Sequence, residues 1–505
     1  MNHIPLMLII LDGWGVSHET KNNAIAQAKT PNWTGLQKEY PSTVLDASGQ
    51  AVGLPAKIIG NSEVGHMNIG AGRIVYQDLS RINQSISDKS FFKNPILLEC
   101  VAKIKKSGGV LHLMGLVSDG GVHSHIDHLF ALLDFAKEQK IEKVFVHCFT
   151  DGRDTAPHGA ELYIKNLQEK INGVGNAAIA TVIGRYYAMD RDKRWERTTL
   201  AYNAMVKGEG DRAPSAGAAV AKAYQNGTTD EFILPTIIEK NGKPVATLCD
   251  GDGVLFFNYR SDRPRQLTVM LNDKESPKLA TYVTMTRYDK TYPYPNIFPP
   301  QNLDNVLGEV LSKNHLKQFR IAETEKYAHV TYFFNGGREV EFAGEERQMI
   351  PSPRDVATYD LKPEMSAEGI TEEVLKRLDQ KKQDVTILNF ANTDMVGHSG
   401  RLESTIKAVE TVDHCLGKIL EKLKTLGGTA IVTSDHGNSE CMADGQGHPH
   451  TAHTLNRVPF VLVGPDAKDF RLKDSGKLCD IAPTILELLG IPQPKEMTGS
   501  SLLSS

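Results

Sequence analysis

Residues 6–13 read LMLIILDG, six consecutive aliphatic side chains followed by Asp12 and Gly13. A run this short and this apolar suits a strand buried on both faces, the kind found inside a parallel sheet. The Asp-Gly that ends it is turn chemistry. In open α/β sheets such a turn, at the carboxyl end of a strand, is where ligands bind. The same pattern recurs twice. Residues 385–390 (VTILNF) run through Ala391, Asn392 and Thr393 into Asp394, and residues 430–434 (AIVTS) run into Asp435, His436 and Gly437. One aspartate at such a point is an ordinary turn residue. Three, each ending an apolar strand, point to a shared polar site.

Further short apolar runs lie at 110–116, 143–149, 177–183, 254–258, 281–285, 330–334 and 459–463. Between them, helical patterns occupy 128–140, 160–170, 196–205, 372–378 and 405–426. Alternation of strand and helix predicts an α/β fold with mainly parallel sheets. The chain is 505 residues long, room for two large domains or about three of ordinary size. The clearest boundary is 291–301, TYPYPNIFPPQ, where four prolines in eleven residues exclude helix and central strand. A second is expected near 75–79, after the glycine-rich stretch 60–72.

Composition narrows the function. Hydrophobic residues make up 40% and charged residues 23%, the balance of a globular protein rather than a disordered one. A net charge of −4 argues against a general nucleic-acid binder. No apolar run approaches the ~20 residues of a membrane helix. None of the six cysteines forms a C-x-x-C pair, so neither a cysteine-rich zinc site nor a disulfide framework is expected. With no basic region before the first apolar run, the expectation is a cytoplasmic protein that associates with neither membrane nor nucleic acid.

Histidines accompany the three aspartates. Asp394 and His398 are one helical turn apart and can face the same way, and His448, His450 and His453 cluster in GQGHPHTAHT. Carboxylates and imidazoles together make a site for divalent zinc or manganese. Ser62 lies in GNSEVGHMNIGAGR (60–73). Gly60 and Gly65 have P-loop spacing, but His66-Met67 replaces the Lys-Ser/Thr such a loop needs. The segment reads instead as a turn entering a helix. Residue type favours Ser62 as the helix cap; the alternative is a nucleophile helped by a metal and a helix N-terminus.

A second cluster follows other strands. It contains Asp119, His123, His125 and His128 in SDGGVHSHIDH, Arg153 and Asp154 in TDGRDTAP, Arg185 and Arg191 in GRYYAMDRD, and Arg260 and Arg263 in FNYRSDR. Guanidinium groups pair two-pronged with carboxylate and phosphate oxygens, so this set suits a small substrate carrying both. Arg194 and Arg197, on a helical stretch, read as solvated.

At these residues the sequence closely resembles the cofactor-independent phosphoglycerate mutases of the alkaline phosphatase superfamily. Ten segments carry the resemblance in order: LDGWG, GNSEVGHMNIGAGR, SDGGVHSH, TDGRDTAP, GRYYAMDRD, FNYRSDR, ETEKYAHVTYFFNGG, NFANTDMVGHSG, TSDHGN and HTAHT. The resemblance implies a discontinuous alkaline-phosphatase-like domain, residues 1–76 and 302–505, with an inserted α/β phosphotransferase domain, residues 77–301. It implies two Mn²⁺ ions, one held by Asp394, His398 and His453 and the other by Asp12, Ser62, Asp435 and His436. His448 and His450 are then not ligands. The implied reaction is the glycolytic and gluconeogenic interconversion of 3-phosphoglycerate and 2-phosphoglycerate through a phosphoserine at Ser62, with no bisphosphoglycerate required. Lys326 would neutralise the phosphoryl group. His123, Arg153, Asp154, Arg185, Arg191, Arg260 and Arg263 would bind the glycerate, with Asp154 as acid and base. A monomer acting on a small molecule is expected. Metal motifs alone also fit a phosphatase, a sulfatase, a phosphopentomutase or a non-catalytic metal binder. The arginine-rich middle segments argue against the three enzymes, and an intact Ser62, a complete ligand set and the arginines together argue against the non-catalytic binder.

Overall fold

The run Leu6–Leu11 forms a strand in which all six side chains are buried. Leu6, Leu8 and Ile10 pack into one hydrophobic core, and Met7, Ile9 and Leu11 into another on the opposite face. Burial of each contributes roughly 1.5–3 kcal/mol, and the two-sided packing explains why the run has no polar residue. The computed structural model describes every residue except Met1, Asn2, Asn302 and Ser505. The chain separates into two units, Met1–Gln77 with Asn302–Ser505, and Asp78–Gln301.

The first unit is built on an eight-stranded sheet. Its order is Glu345–Ile350, Gln318–Glu323, Val385–Phe390, Leu6–Leu11, Thr429–Thr433, Val458–Val463, Ser42–Asp46 and Ser475–Lys477. The first five strands are mutually parallel, and Val458–Val463 turns antiparallel. Leu11 pairs with Phe390, and Ile10 with Thr433. This register brings Asp12, Asp394 and Asp435 to one end of three adjacent strands. Helices Ala367–Gln380 and Leu402–Thr425 cover one face, and Ser62–Ala71, Leu307–Lys313 and Ile481–Leu488 the other.

The second unit holds a nine-stranded sheet. Its central parallel strands are Thr281–Thr286, Gly253–Phe256, Leu111–Leu116, Val144–Thr150 and Ala177–Gly184. Four of these run directly into the segments carrying His123, Arg153 and Asp154, Arg185, and Arg260 and Arg263. Between Asn296 and Phe298 the proline-rich stretch forms a three-residue edge strand, the one place in a sheet where flanking prolines are tolerated.

One expectation fails, and one buried strand goes unpredicted. Residues 330–334 are not a strand; His329–Phe333 is a π-helical turn. Val330 and Phe334 are both fully buried in the same core, a helical spacing that a run of β-formers conceals. Conversely, Gln318–Glu323 is a fully buried strand that the sequence does not announce. Its Gln318, Arg320 and Glu323 look exposed by type. Arg320 instead stacks 4.5 Å over Phe334 and donates to Gln318.

Candidate active site

Asp12 leaves its strand fully buried. Gly13 follows with φ +72°, and a Cβ there would stand 2.9 Å from the Asp394 Cα. Only glycine permits both the left-handed turn and this approach. Asp394 sits in the first turn of helix Asn392–Gly397, and His398, one turn on, brings Nε2 to 3.3 Å from Asp394 Oδ1. Asp435 and His436 follow the strand Thr429–Thr433.

Ser62 is the first residue of helix Ser62–Ala71 but does not cap it. Asn61 does, its Oδ1 accepting from the Val64 N–H at 2.9 Å. This corrects the expectation drawn from residue type and frees the serine hydroxyl. Ser62 Oγ lies 2.6 Å from Lys326 Nζ, 2.9 Å from His436 Nε2 and 3.2 Å from Asp12 Oδ1. Lys326 also donates to Asp12 Oδ1 at 2.7 Å and to Asp394 Oδ2 at 2.6 Å.

The electrostatics of this cluster agree in sign. Burial opposes the charged form of each group, yet the opposite charges win. Asp12, Asp394 and Asp435 hold the Lys326 ammonium well above its ordinary pKa. Against the same burial, Lys326 and His436 hold Asp394 far below the carboxylate range, and His436 and His66 do so for Asp435. His436 rises to about 9 because Asp435 and Asp394 outweigh its desolvation. Three buried carboxylates within reach of one another create a field that cations satisfy.

The donor set fits divalent metal. His398 Nδ1 faces the Thr451 carbonyl at 2.7 Å, and His453 Nδ1 faces the Gly60 carbonyl at 2.9 Å. Each carbonyl fixes the ring so that Nε2 carries the lone pair. The two Nε2 atoms then face each other at 3.1 Å and Asp394 Oδ1 at 3.3 and 3.1 Å, a repulsive set unless a cation joins them. Asp435 Oδ2 is buried without a hydrogen bond; His66 Nδ1, 3.2 Å away, is directed to the Ser62 carbonyl at 2.9 Å. Among the described residues, two metal-competent groups emerge: Asp394, His436 and His453, and Asp12, His66 and Asp435. His66 was not singled out from sequence, although its place four residues after Ser62 puts it on the same helix face. Asn389 also escaped notice; it donates to Asp12 Oδ2 at 2.7 Å. His448 stands apart, paired with Asp444 at 3.3 Å in an exposed loop.

In the second unit, Asp151 organises the site, and sequence reasoning did not single it out. Its Oδ1 accepts from Arg185 Nη1 at 2.6 Å and from the Arg153 and Asp154 N–H groups at 3.2 and 3.0 Å. Buried Arg185 also donates to Asp154 Oδ2 at 2.6 Å. His123 lies 3.8 Å from Asp154 Oδ2 and 3.7 Å from Asp262 Oδ1. Burial, together with Arg185 and Arg260, pushes it down to about 4, so it is neutral near pH 7. Asp262 gathers Arg191 at 2.9 Å and Arg260 at 3.2 Å. Arg263 donates to the Met189 carbonyl at 3.0 Å. Its pKa is lowered by burial and then by Arg185, Arg191 and Arg153, so these cations converge on a common anion-seeking field. The remaining histidines are structural. His125 caps helix Ile126–Glu138, and His128 is buried against Asn83 at 2.8 Å. Asp119 accepts from the Tyr163 hydroxyl. Arg197 is not freely solvated: it stacks 3.8 Å over Tyr186 and pairs with Asp190 at 3.4 Å.

Comparison with known proteins shows the family. Residues 82–290 match the family model described as the BPG-independent PGAM N-terminus, and residues 270–490 match that of type I phosphodiesterase / nucleotide pyrophosphatase. The chain is 55% identical over 508 residues to a 2,3-bisphosphoglycerate-independent phosphoglycerate mutase of Desulforudis audaxviator, covering 99% of each. It is 56% identical over 506 residues to the protein of that name from Clostridium novyi, again covering 99% of each. Among solved structures, a Leishmania mexicana phosphoglycerate mutase crystallised at low cobalt concentration is 32% identical with a TM-score of 0.56, over 100% of this chain and 98% of that one. No helix among the described residues is long and apolar enough to cross a membrane.

Proposed function

This chain belongs to the 2,3-bisphosphoglycerate-independent phosphoglycerate mutase family, and on that premise we propose that Ser62 carries a phosphoryl group between the 3- and 2-hydroxyls of glycerate. The family is metal-dependent and works through a phosphoserine. The observation that carries the assignment is the Ser62 hydroxyl itself. It is released from capping by Asn61, sits at the N-terminus of a ten-residue helix, and lies 2.6 Å from a buried ammonium. Helix N–H groups at that end favour a phosphate.

Asp12, Ser62, Asp435 and His436 would hold one divalent ion, and Asp394, His398 and His453 the other, with Mn²⁺ as the metal we favour. When bound, such ions lower the pKa of the serine hydroxyl and offset charge on the phosphoryl oxygens. Lys326 donates to the Ser62 oxygen and stabilises its anionic form. His436 and Asp12 fix the direction in which that oxygen faces, and Asp394 holds the Lys326 ammonium beside it.

Arg153, Arg185, Arg191, Arg260 and Arg263 hold the glycerate by its carboxylate, where two-pronged geometry selects a planar anion. His123, neutral, contributes a hydrogen bond rather than a charge. Asp154 takes the proton of the attacking hydroxyl and returns it to the one released. In this reading residues 1–76 and 302–505 form the phosphoserine and metal domain, and residues 77–301 the glycerate domain. The protein is a cytoplasmic monomer serving glycolysis and gluconeogenesis.

The test is conversion of 3-phosphoglycerate to 2-phosphoglycerate with no bisphosphoglycerate added, before and after exhaustive chelation. Activity should vanish on chelation and return with Mn²⁺. Turnover that survives chelation, or release of inorganic phosphate in place of 2-phosphoglycerate, overturns the reading.

A further inference from the structure

The segments that carry Asp12, Asp394, Asp435 with His436, and His453 are all anchored to one short stretch, Asn438-Ser439-Glu440. Asn438 Nδ2 donates to Asp394 Oδ1 at 2.8 Å. Ser439 donates its N–H to the Gly13 carbonyl at 3.0 Å and its hydroxyl to the Thr393 carbonyl at 2.5 Å. Glu440 is the centre of the arrangement. Only 2% of it is exposed, and its carboxylate faces four donors. Oε2 accepts the Gly15 N–H at 3.1 Å and the Asn438 N–H at 2.8 Å. Oε1 accepts the Thr454 hydroxyl and Asn456 Nδ2, the latter at 2.9 Å. A Cβ on Gly15 or on Gly437 would overlap this carboxylate. The backbone at both positions is thus bare where Glu440 lies against it.

The donors divide by oxygen. Oε2 holds Gly15, three residues past Asp12, and Asn438, two past His436. Oε1 holds Thr454 and Asn456, one and three residues past His453. A buried carboxylate must find compensation for its charge, and here it comes from groups that fix ligand-bearing loops. Among the described residues no Lys, Arg or His pairs with it, so the four donors are its means of staying buried.

We infer that Glu440 is a positioning residue for the metal centre. One oxygen sets the loops of Asp12 and of Asp435 and His436, and the other sets the loop of His453. Glu440 does not touch the reacting atoms. It determines whether the imidazole of His453 and the carboxylates reach one another. Outer groups that orient ligands typically govern metal affinity by about 10- to 100-fold. This inference rests on the two-ion reading above.

The experiment is a Mn²⁺ titration of metal-free protein, following free Mn²⁺ by electron paramagnetic resonance. Glu440→Ala should weaken both ions. Thr454→Val cuts only the Oε1 side and guards against a Glu440→Ala protein that does not fold; it should raise the dissociation constant of one ion about tenfold and leave the other nearly unchanged. Thr454→Ser keeps the donor and should restore wild-type affinity. Saturating Mn²⁺ should recover turnover in Thr454→Val. Two ions bound by Thr454→Val with wild-type affinities overturn the inference, as does equal weakening by Thr454→Val and Thr454→Ser. Wild-type protein that binds no manganese overturns the metal reading and this inference with it.

Discussion

Gly13 concentrates the demands of the centre in one position. Its φ of +72° and the 2.9 Å approach to Asp394 leave no room for a side chain. Gly13→Ala should cost about 1–3 kcal/mol of stability. It should also lower kcat/KM about 100-fold by displacing Asp12 from Asp394; denaturant unfolding and steady-state assay check the two effects. A stable, fully active variant would show that these two strand ends need not lie so close. At the arginine cluster proposed to hold glycerate, Arg263→Lys keeps charge but loses the planar fork. Turnover should fall about 10- to 100-fold, the weight of a charged hydrogen bond, with bound metal unchanged and more free phosphate released per 2-phosphoglycerate formed. Unchanged turnover and ratio would remove Arg263 from the site. The three aspartates were legible in sequence because each ends an apolar run. His66, Asn389 and Glu440 were not, because each also meets a partner hundreds of residues away: Asp435, Asp12 and Gly15. Asn389, for example, meets Asp12 across 377 positions.

Strands buried on both faces were the easiest elements to read. Leu6–Leu11 and Val385–Phe390 have the bounds that hydropathy alone suggests. Gln318–Glu323 was illegible because its polar residues are buried by pairing and stacking, which no local pattern records. His329–Phe333 was misread because a short run of aromatic and β-branched residues suits either geometry. The central strands of the second unit carry a further consequence. His147 Nε2 lies 2.9 Å from His112 Nδ1, and its Nδ1 lies 3.0 Å from Thr181 Oγ1, while His112 Nε2 meets Asp252 at 3.2 Å. Burial, with His112 beside it, holds His147 well below its ordinary pKa; burial likewise brings His128 to about 3 and His123 to about 4. These rings stay neutral in the folded chain but take up protons when it unfolds below pH ~6.5. Stability therefore falls as pH drops from about 6.5 toward 4, with up to about three extra protons bound on unfolding. The urea midpoint of metal-free protein should decline across that window, and more shallowly in His147→Phe. A flat midpoint would mean that these rings are already protonated in the fold.

Taken whole, the chain assigns different chemistry to its two units. The proline-rich stretch at 291–301 was legible as a break because prolines exclude central strand, whereas the break after Gln77 carries no comparable signal. The first unit supplies carboxylates, imidazoles, one buried ammonium and Ser62. The second supplies guanidinium groups and Asp154. A phosphatase needs only the first set, and a mutase must also retain the glycerate. The claim on which all else depends is that phosphate resides on Ser62 during turnover. The most direct measurement is rapid acid quenching of metal-loaded enzyme with isotopically phosphate-labelled 3-phosphoglycerate, followed by peptide mapping. The account predicts label on the peptide containing Ser62, absent in Ser62→Ala together with all isomerisation. Label on another residue, or isomerisation by Ser62→Ala, would contradict it.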